Sequence, residues 1–134
     1  MTLDCDVAIV GSGAGGGMAA RELAAAGQNV LVLEKGGYFN ESDFSQREVA
    51  MLDKLYWAGG YGANRTYYVS FHQMGTCRMG ANPQTSVVNG DGETHAVRNL
   101  YVADGSLFPT ASGVNPMLTI AALGHYVAGR IARR

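Results

Sequence analysis

Several protein classes are excluded by what this sequence lacks. It has only two cysteines, Cys5 and Cys77, with no CxxC and no paired spacing. That argues against both a disulfide framework and a zinc site. It has no basic surplus: 10 Lys and Arg stand against 11 Asp and Glu, for a net charge of -1. The only basic cluster is Arg130, Arg133 and Arg134 at the end of the chain, where cations suit a helix terminus, so no nucleic-acid partner is expected. It also lacks an uninterrupted apolar run. The nearest candidate, VNPMLTIAALGHYVAGRIARR, opens on Asn-Pro and is broken by Gly124, His125 and Gly129. A spanning helix needs about 20 continuous apolar residues, so a buried helix and no membrane span are expected. The opening MTLDCDVAIV carries acids in place of a basic leader region, so no signal peptide and a cytoplasmic location are expected.

What the chain does have is glycine. There are 19 among 134 residues, grouped at 11–17, 59–62 and 90–92. Such grouping points to tight backbone geometry. A chain of this size, 47% hydrophobic, makes one ordinary domain that hides roughly two thirds of its unfolded surface.

The first forty residues carry a specific order. DVAIV (6–10) is a short β-type run, followed by GSGAGGG (11–17), an alanine-rich helix pattern ending near Gly27, and a second β run, NVLVLEK (29–35). Gly11, Gly13 and Gly16 fit G-x-G-x-x-G. In that motif the first glycine makes the turn, the second lets backbone approach a pyrophosphate, and the third lets helix pack on sheet. The helix start offers free N–H groups to phosphate. Glu34 ends the second strand about 20 residues on, where an acid accepts from ribose hydroxyls. A dinucleotide site is predicted, and Glu34 disfavours a 2′-phosphate. Ser12 is no nucleophile elbow, because G-x-S-x-G is absent.

Further along, SDFSQREVAMLDKLYW (42–57) reads as a helix with a Ser45–Glu48 capping box, GGYGANRTYY (59–68) as a loop and YYVSF (67–71) as a short strand. β-like runs recur at SVV, and NLYVADGS reads as a third parallel strand ending at Asp104 and Gly105, a position where α/β sheets bind ligands. The last helix is expected over 116–131, with Asn115 as N-cap, Pro116 as its first residue, and Met117, Ile120, Ala121, Leu123, Ala128 and Ile131 supplying apolar surface. The strand around 100–103 is expected to lie beside 6–10, giving a three-stranded parallel core. His95 and His125 are expected to be structural or surface residues. Cys77 is expected to be a small buried residue in a tight turn, and Arg78 to meet a phosphate or make an ordinary ion pair. A metal site from His72, Cys77 and His95 has no recognised ligand spacing.

Three blocks together, DVAIVGSGAGGGMAARELAAAGQNVLVLEKGGYF, FHQMGTCRMG and NLYVADGSLFPTASGVNPMLTIAALGHYVAGRI, resemble the glucose–methanol–choline (GMC) oxidoreductases, most of all their bacterial alcohol dehydrogenase and long-chain alcohol oxidase branch. The resemblance implies an α/β, reduced Rossmann-like FAD-binding domain with a small parallel sheet flanked by helices. It implies FAD as cofactor, held by Gly11, Gly13, Ala14, Gly16 and Glu34, by Asp104 and Gly105, and by Asn115, Pro116 and Met117 against the flavin. It implies oxidation of a small alcohol to a carbonyl, with His72 as base and Asn115 holding the substrate oxygen. Family members are several times longer and carry a substrate domain between the outer blocks. Here residues 1–58 and 71–134 are joined by a bridge at 59–70, and 1–134 is expected to be one FAD-binding domain. A non-catalytic FAD or dinucleotide-binding module, or a fragment paired with a partner chain or with itself over an exposed core face, is the alternative.

Overall fold

The computed structural model describes residues 2–45, 47, 51 and 71–134. The chain divides into two compact units, Met1–Glu34 with Phe71–Arg134, and Lys35–Ser70.

The first unit opens with β1 (Val7–Val10), α1 (Ala14–Ala25) and β2 (Val30–Leu33). The strands pair in parallel, Val7 opposite Val30 through Val10 opposite Leu33. A parallel pair needs a crossover, and α1 is that crossover. The helix forms because its sequence is rich in alanine and free of β-branched residues. It stops at Gly27, whose φ of 84° only glycine adopts without strain. There Gln28 N–H donates to Leu23 O at 3.1 Å and Gly27 N–H to Ala24 O at 3.0 Å, a Schellman closure. No helix among the described residues is long and apolar enough to cross a membrane.

A 3-10 turn, Gly105–Leu107, then leads toward α2 (Met117–Ile131). The buried residues of α2 are Gly124, Val127 and Ala128. Ala128 packs with Ala19 and Leu23 of α1, while Val127 packs with Val88 and Leu107. The helix thus sits between two small cores and joins them. Met117, expected to add buried surface, is exposed. The parallel pair with its flanking helices is the α/β, Rossmann-like arrangement anticipated from the sequence.

The expected third strand does not pair with β1: among the described residues the sheet has two strands, β1 and β2. Tyr101 makes only an isolated antiparallel bridge with Glu93. Val102 N–H donates to Gly92 O at 2.9 Å, and Leu100 O accepts from Thr94 N–H at 2.8 Å. The segment therefore uses one edge on the 92–94 turn. Its other edge looks across a cavity of about 780 Å³ toward β1.

Glu93 is the one buried charged residue among those described. It accepts from the Arg134 guanidinium and from Asn99 N–H, each at 2.8 Å. The Arg134 hydrogen bond, then that of Asn99, hold its carboxyl below the ordinary glutamate range. A carboxyl depressed in the folded state stabilises the fold above its unfolded pKa, and that share is lost as pH falls through the folded value. Glu93→Gln is therefore expected to lower the melting temperature at neutral pH and to flatten the acid limb of stability against pH, as read by circular dichroism melts.

In the second unit the helix expected from residue 42 does not begin there. Glu41–Asp43 is a single 3-10 turn, capped reciprocally by Asn40 and Asp43, and Phe44 is extended. This turn with its Asn40 cap precedes Ser45 and is separate from the Ser45 cap. Ser45 Oγ accepts from Arg47 N–H at 3.4 Å, and Met51 is helical and buried, as expected of that helix; its other residues, the loop at 59–68 and most of the strand at 67–71 lie outside the described residues.

Candidate functional site

The turn between β1 and α1 has the shape that its glycines predict. Gly11 has φ 92°. A Cβ on Gly13 would point into open space, with no atom within 4 Å. A Cβ on Gly16 would strike the Gly11 carbonyl, so helix and turn are in backbone contact there. Gly13 caps α1 with no side-chain hydrogen bond, and the first helical bond runs from Gly17 N–H to Gly13 O at 2.7 Å. The N–H groups of Ala14, Gly15 and Gly16 precede that bond and are available to an anion. Glu34 Oε2 accepts from both Ser12 N–H and Ser12 Oγ–H at 2.7 Å, which ties the end of β2 to the turn.

A second set of residues surrounds the start of α2. Residues 75–79 lie along 105–107, with Gly75 N–H donating to Gly105 O at 3.2 Å, Cys77 N–H to Ser106 O at 3.0 Å and Met79 N–H to Leu107 O at 2.9 Å. This ladder carries His72 toward α2. His72 Nε2 and Asn115 Nδ2 meet at 3.4 Å across 43 positions of sequence. The amide nitrogen can only donate, so Nε2 accepts from it in the imidazole tautomer that carries its proton on Nδ1. Both side chains are exposed. Val114, Met117 and Leu118 beside them in sequence are exposed apolar residues, as is Phe71.

Asn115 was expected to cap α2. Instead Pro116 is the N-cap, no side chain caps the helix, and the first turn holds no acid. The Asn115 amide turns to His72, and the helix end is left open to a partial negative charge. Asp104 Oδ1 accepts from Ser106 N–H at 2.8 Å and Ser106 Oγ–H at 2.5 Å, capping the 3-10 turn. Gly105 is buried, and a Cβ there would lie 3.1 Å from Ile120 and 3.3 Å from Gln73 O.

The other candidates fall outside this arrangement. His95 Nε2 lies 3.1 Å from Gly80 O and from Ser86 Oγ, and His125 Nδ1 lies 3.2 Å from Glu22. Arg78 Nε donates to Thr85 O at 2.5 Å. Cys77 is free and half-buried. No group of three His, Cys, Asp or Glu among the described residues could hold a metal ion.

Two residues that link the halves of the site escape the motif. A Cβ on Gly15 would fall on the Ala103 carbonyl, and a Cβ on Gly124 would lie 2.5 Å from Gly15 O. Gly15 and Gly124 are where α1, α2 and the strip before Asp104 touch. About 10 Å of helix axis separates Gly124 from Met117, so this crossing fixes the α2 start relative to the glycine turn. The available signal was a glycine inside an apolar helix, which usually has a packing reason.

An open glycine turn, an acid at the end of β2 and a histidine–amide pair at a second helix start thus lie on one α/β, Rossmann-like subdomain. The family model for GMC oxidoreductase matches residues 16–124, so the chain belongs to the GMC oxidoreductase family. Among its relatives, long-chain-alcohol oxidase FAO4B of Arabidopsis thaliana is 40% identical over 83 residues, 60% of this chain and 11% of that protein. A 2-methyl-1,2-propanediol dehydrogenase of Mycolicibacterium austroafricanum is 50% identical over 64 residues, 48% of this chain and 12% of that one. Paromamine 6′-oxidase of Streptomyces fradiae is 53% identical over 53 residues, 40% of this chain and 10% of the relative. The chain thus spans only about a tenth of the length of these relatives. No solved structure matches it.

Proposed function

We propose that residues 1–134 form one FAD-binding domain that takes part in oxidising an alcohol to a carbonyl. The observation that carries this reading is the His72–Asn115 contact, at 3.4 Å, in a chain that also builds an open glycine turn. The residues fit the cofactor. Gly13 leaves room for a pyrophosphate, the N–H groups of Ala14, Gly15 and Gly16 face it, and Glu34 stands at the end of β2 to receive a ribose hydroxyl. Asp104 and Gly105 would border the linking chain, and Asn115, Pro116 and Met117 the ring. Bound FAD would supply the hydride acceptor at flavin N5. His72 Nε2 would take the hydroxyl proton as the carbinol carbon gives up its hydride, leaving a carbonyl. Asn115 Nδ2–H would donate to the substrate oxygen and hold it beside His72. The relatives named for alcohol and diol oxidation support a CH–OH donor.

A non-catalytic FAD-binding module is the second reading. It is favoured by the exposure of both His72 and Asn115, which leaves the pair open to water. The two readings share a first test. Purified protein mixed with FAD and desalted is expected to stay yellow, and a colourless product would sink both. Glu34→Ala is expected to weaken FAD binding about 10- to 100-fold by fluorescence titration, since it deletes a charged acceptor. Unchanged affinity would remove Glu34 from the site.

A further inference from the structure

The His72–Asn115 contact does not stand alone. Two residues along from His72, Met74 Sδ lies 3.7 Å from Ser112 Oγ, so the segments that carry the pair touch a second time. Resting on the alcohol-oxidation reading above, we propose that Ser112 is a positioning residue for that reaction. Its hydroxyl fixes the turn that presents the Asn115 amide, and the amide in turn sets the tautomer in which His72 offers Nε2.

Ser112 has one hydroxyl proton and two neighbours for it. Val114 O, at 2.6 Å, takes the proton, which leaves the Met74 sulfur as a packing contact. The hydroxyl therefore bridges residues 112 and 114 and closes the backbone over Gly113, whose φ is 74°. Packing does not hold this turn. A Cβ on Gly113 would meet no atom within 4 Å, and Val114 is 71% exposed. Among the described residues, 112–115 make no further hydrogen bond except that of Asn115 with His72. On the far side Pro116 is buried, and its ring restricts Asn115 to extended backbone. Asn115 is thus pinned by the proline after it and by the Ser112 hydroxyl before it.

The His72 segment is anchored separately. Gly75 N–H donates to Gly105 O at 3.2 Å, and a Cβ on Gly105 would lie 3.3 Å from Gln73 O. Residues 73 and 75 therefore lean on the 3-10 turn, while His72 and Met74 meet the 112–115 turn. The Met74–Ser112 contact limits how far the two segments slide past each other. The Asn115 amide carries two N–H groups. One meets His72 Nε2, and the other can serve a substrate oxygen. With the amide on Nε2, the imidazole proton sits on Nδ1, and Nε2 keeps the lone pair that a base needs. Loss of the Ser112 hydroxyl frees the turn, the amide leaves Nε2, and both tautomers become populated.

The first test needs neither FAD nor alcohol. NMR of the neutral imidazole nitrogens in the full chain is expected to place the His72 proton on Nδ1. Ser112→Ala and Asn115→Ala are each expected to spread that proton over both ring nitrogens. Ser112→Thr keeps the hydroxyl and is expected to restore the parent pattern, with His95 and His125 unchanged throughout. A parent His72 protonated on Nε2, parent-like His72 signals in Ser112→Ala, or a threonine variant that behaves as alanine would overturn the proposal. So would a shift of all three histidines together, which marks general loosening. The second test is alcohol-dependent bleaching of the FAD-loaded protein. Ser112→Ala is expected to slow it by about tenfold or less, no more than Asn115→Ala, because it acts through that amide. The double variant should bleach no more slowly than Asn115→Ala alone, and multiplied losses would overturn the positioning role. A parent that no alcohol bleaches would sink the alcohol reading, while the NMR result still decides whether Ser112 positions Asn115.

Discussion

Gly15→Ala is expected to cost the first unit a large share of its stability. The added Cβ has nowhere to go: it falls on the Ala103 carbonyl and lies 3.2 Å from Asp104 Cα. Both are backbone, so no flexible side chain can yield. Gly15 also meets α2, since a Cβ on Gly124 would lie 2.5 Å from Gly15 O. Overpacking in a tight interior costs about 1–3 kcal/mol and more where backbone must shift. Against a total of about 5–15 kcal/mol, the variant is expected to lose its cooperative melt or to melt well below the parent. Gly129→Ala is the control. It lies in the same helix as Gly124, and its new Cβ would meet nothing nearer than the Arg133 guanidinium at 3.9 Å. That change is expected to stabilise by about 0.5–1 kcal/mol through helix propensity. A Gly15→Ala melt equal to the parent would mean that the α1–α2 crossing is looser than the structure has it.

That prediction also marks the limit of reading the sequence. The motif spacing singles out Gly11, Gly13 and Gly16, and each has a local reason visible in a dozen residues. Gly15 is tight for a non-local reason, the approach of Ala103 and of a helix more than a hundred positions on. β1, α1 and β2 were legible because strand, turn, helix and stop are local signals. The third strand was misread for the opposite reason. NLYVA has strand composition, but composition does not specify which edge pairs, and the 92–94 turn took the near one. Asn115 shows the same limit at the scale of a side chain. Its position before Pro116 is right for a cap, yet residue 72 competes for the amide from across the fold. His72 itself was legible only through the block that contains it, since an isolated histidine after a short strand carries no signal of its own.

His72→Ala is expected to slow alcohol-dependent bleaching of the FAD-loaded protein by about 10²- to 10⁴-fold under anaerobic conditions, the usual worth of a positioned base. FAD affinity is expected to stay near the parent value, because the glycine turn and Glu34 belong to other elements. Asn115→Ala is expected to cost less, about tenfold, as one neutral hydrogen bond to the substrate oxygen is lost. The two side chains touch, so the double variant should lose less than the product of the single losses. His95→Ala is the matched control. His95 is bound to Gly80 and Ser86 and should leave the bleaching rate unchanged. If His72→Ala bleaches as fast as the parent, His72 is not the base. If the yellow parent is bleached by no alcohol at all, the chain is a binding module whose His72–Asn115 pair has no substrate to act on. Either outcome leaves the cofactor reading intact, because retention of FAD after desalting is read separately from the fate of the alcohol.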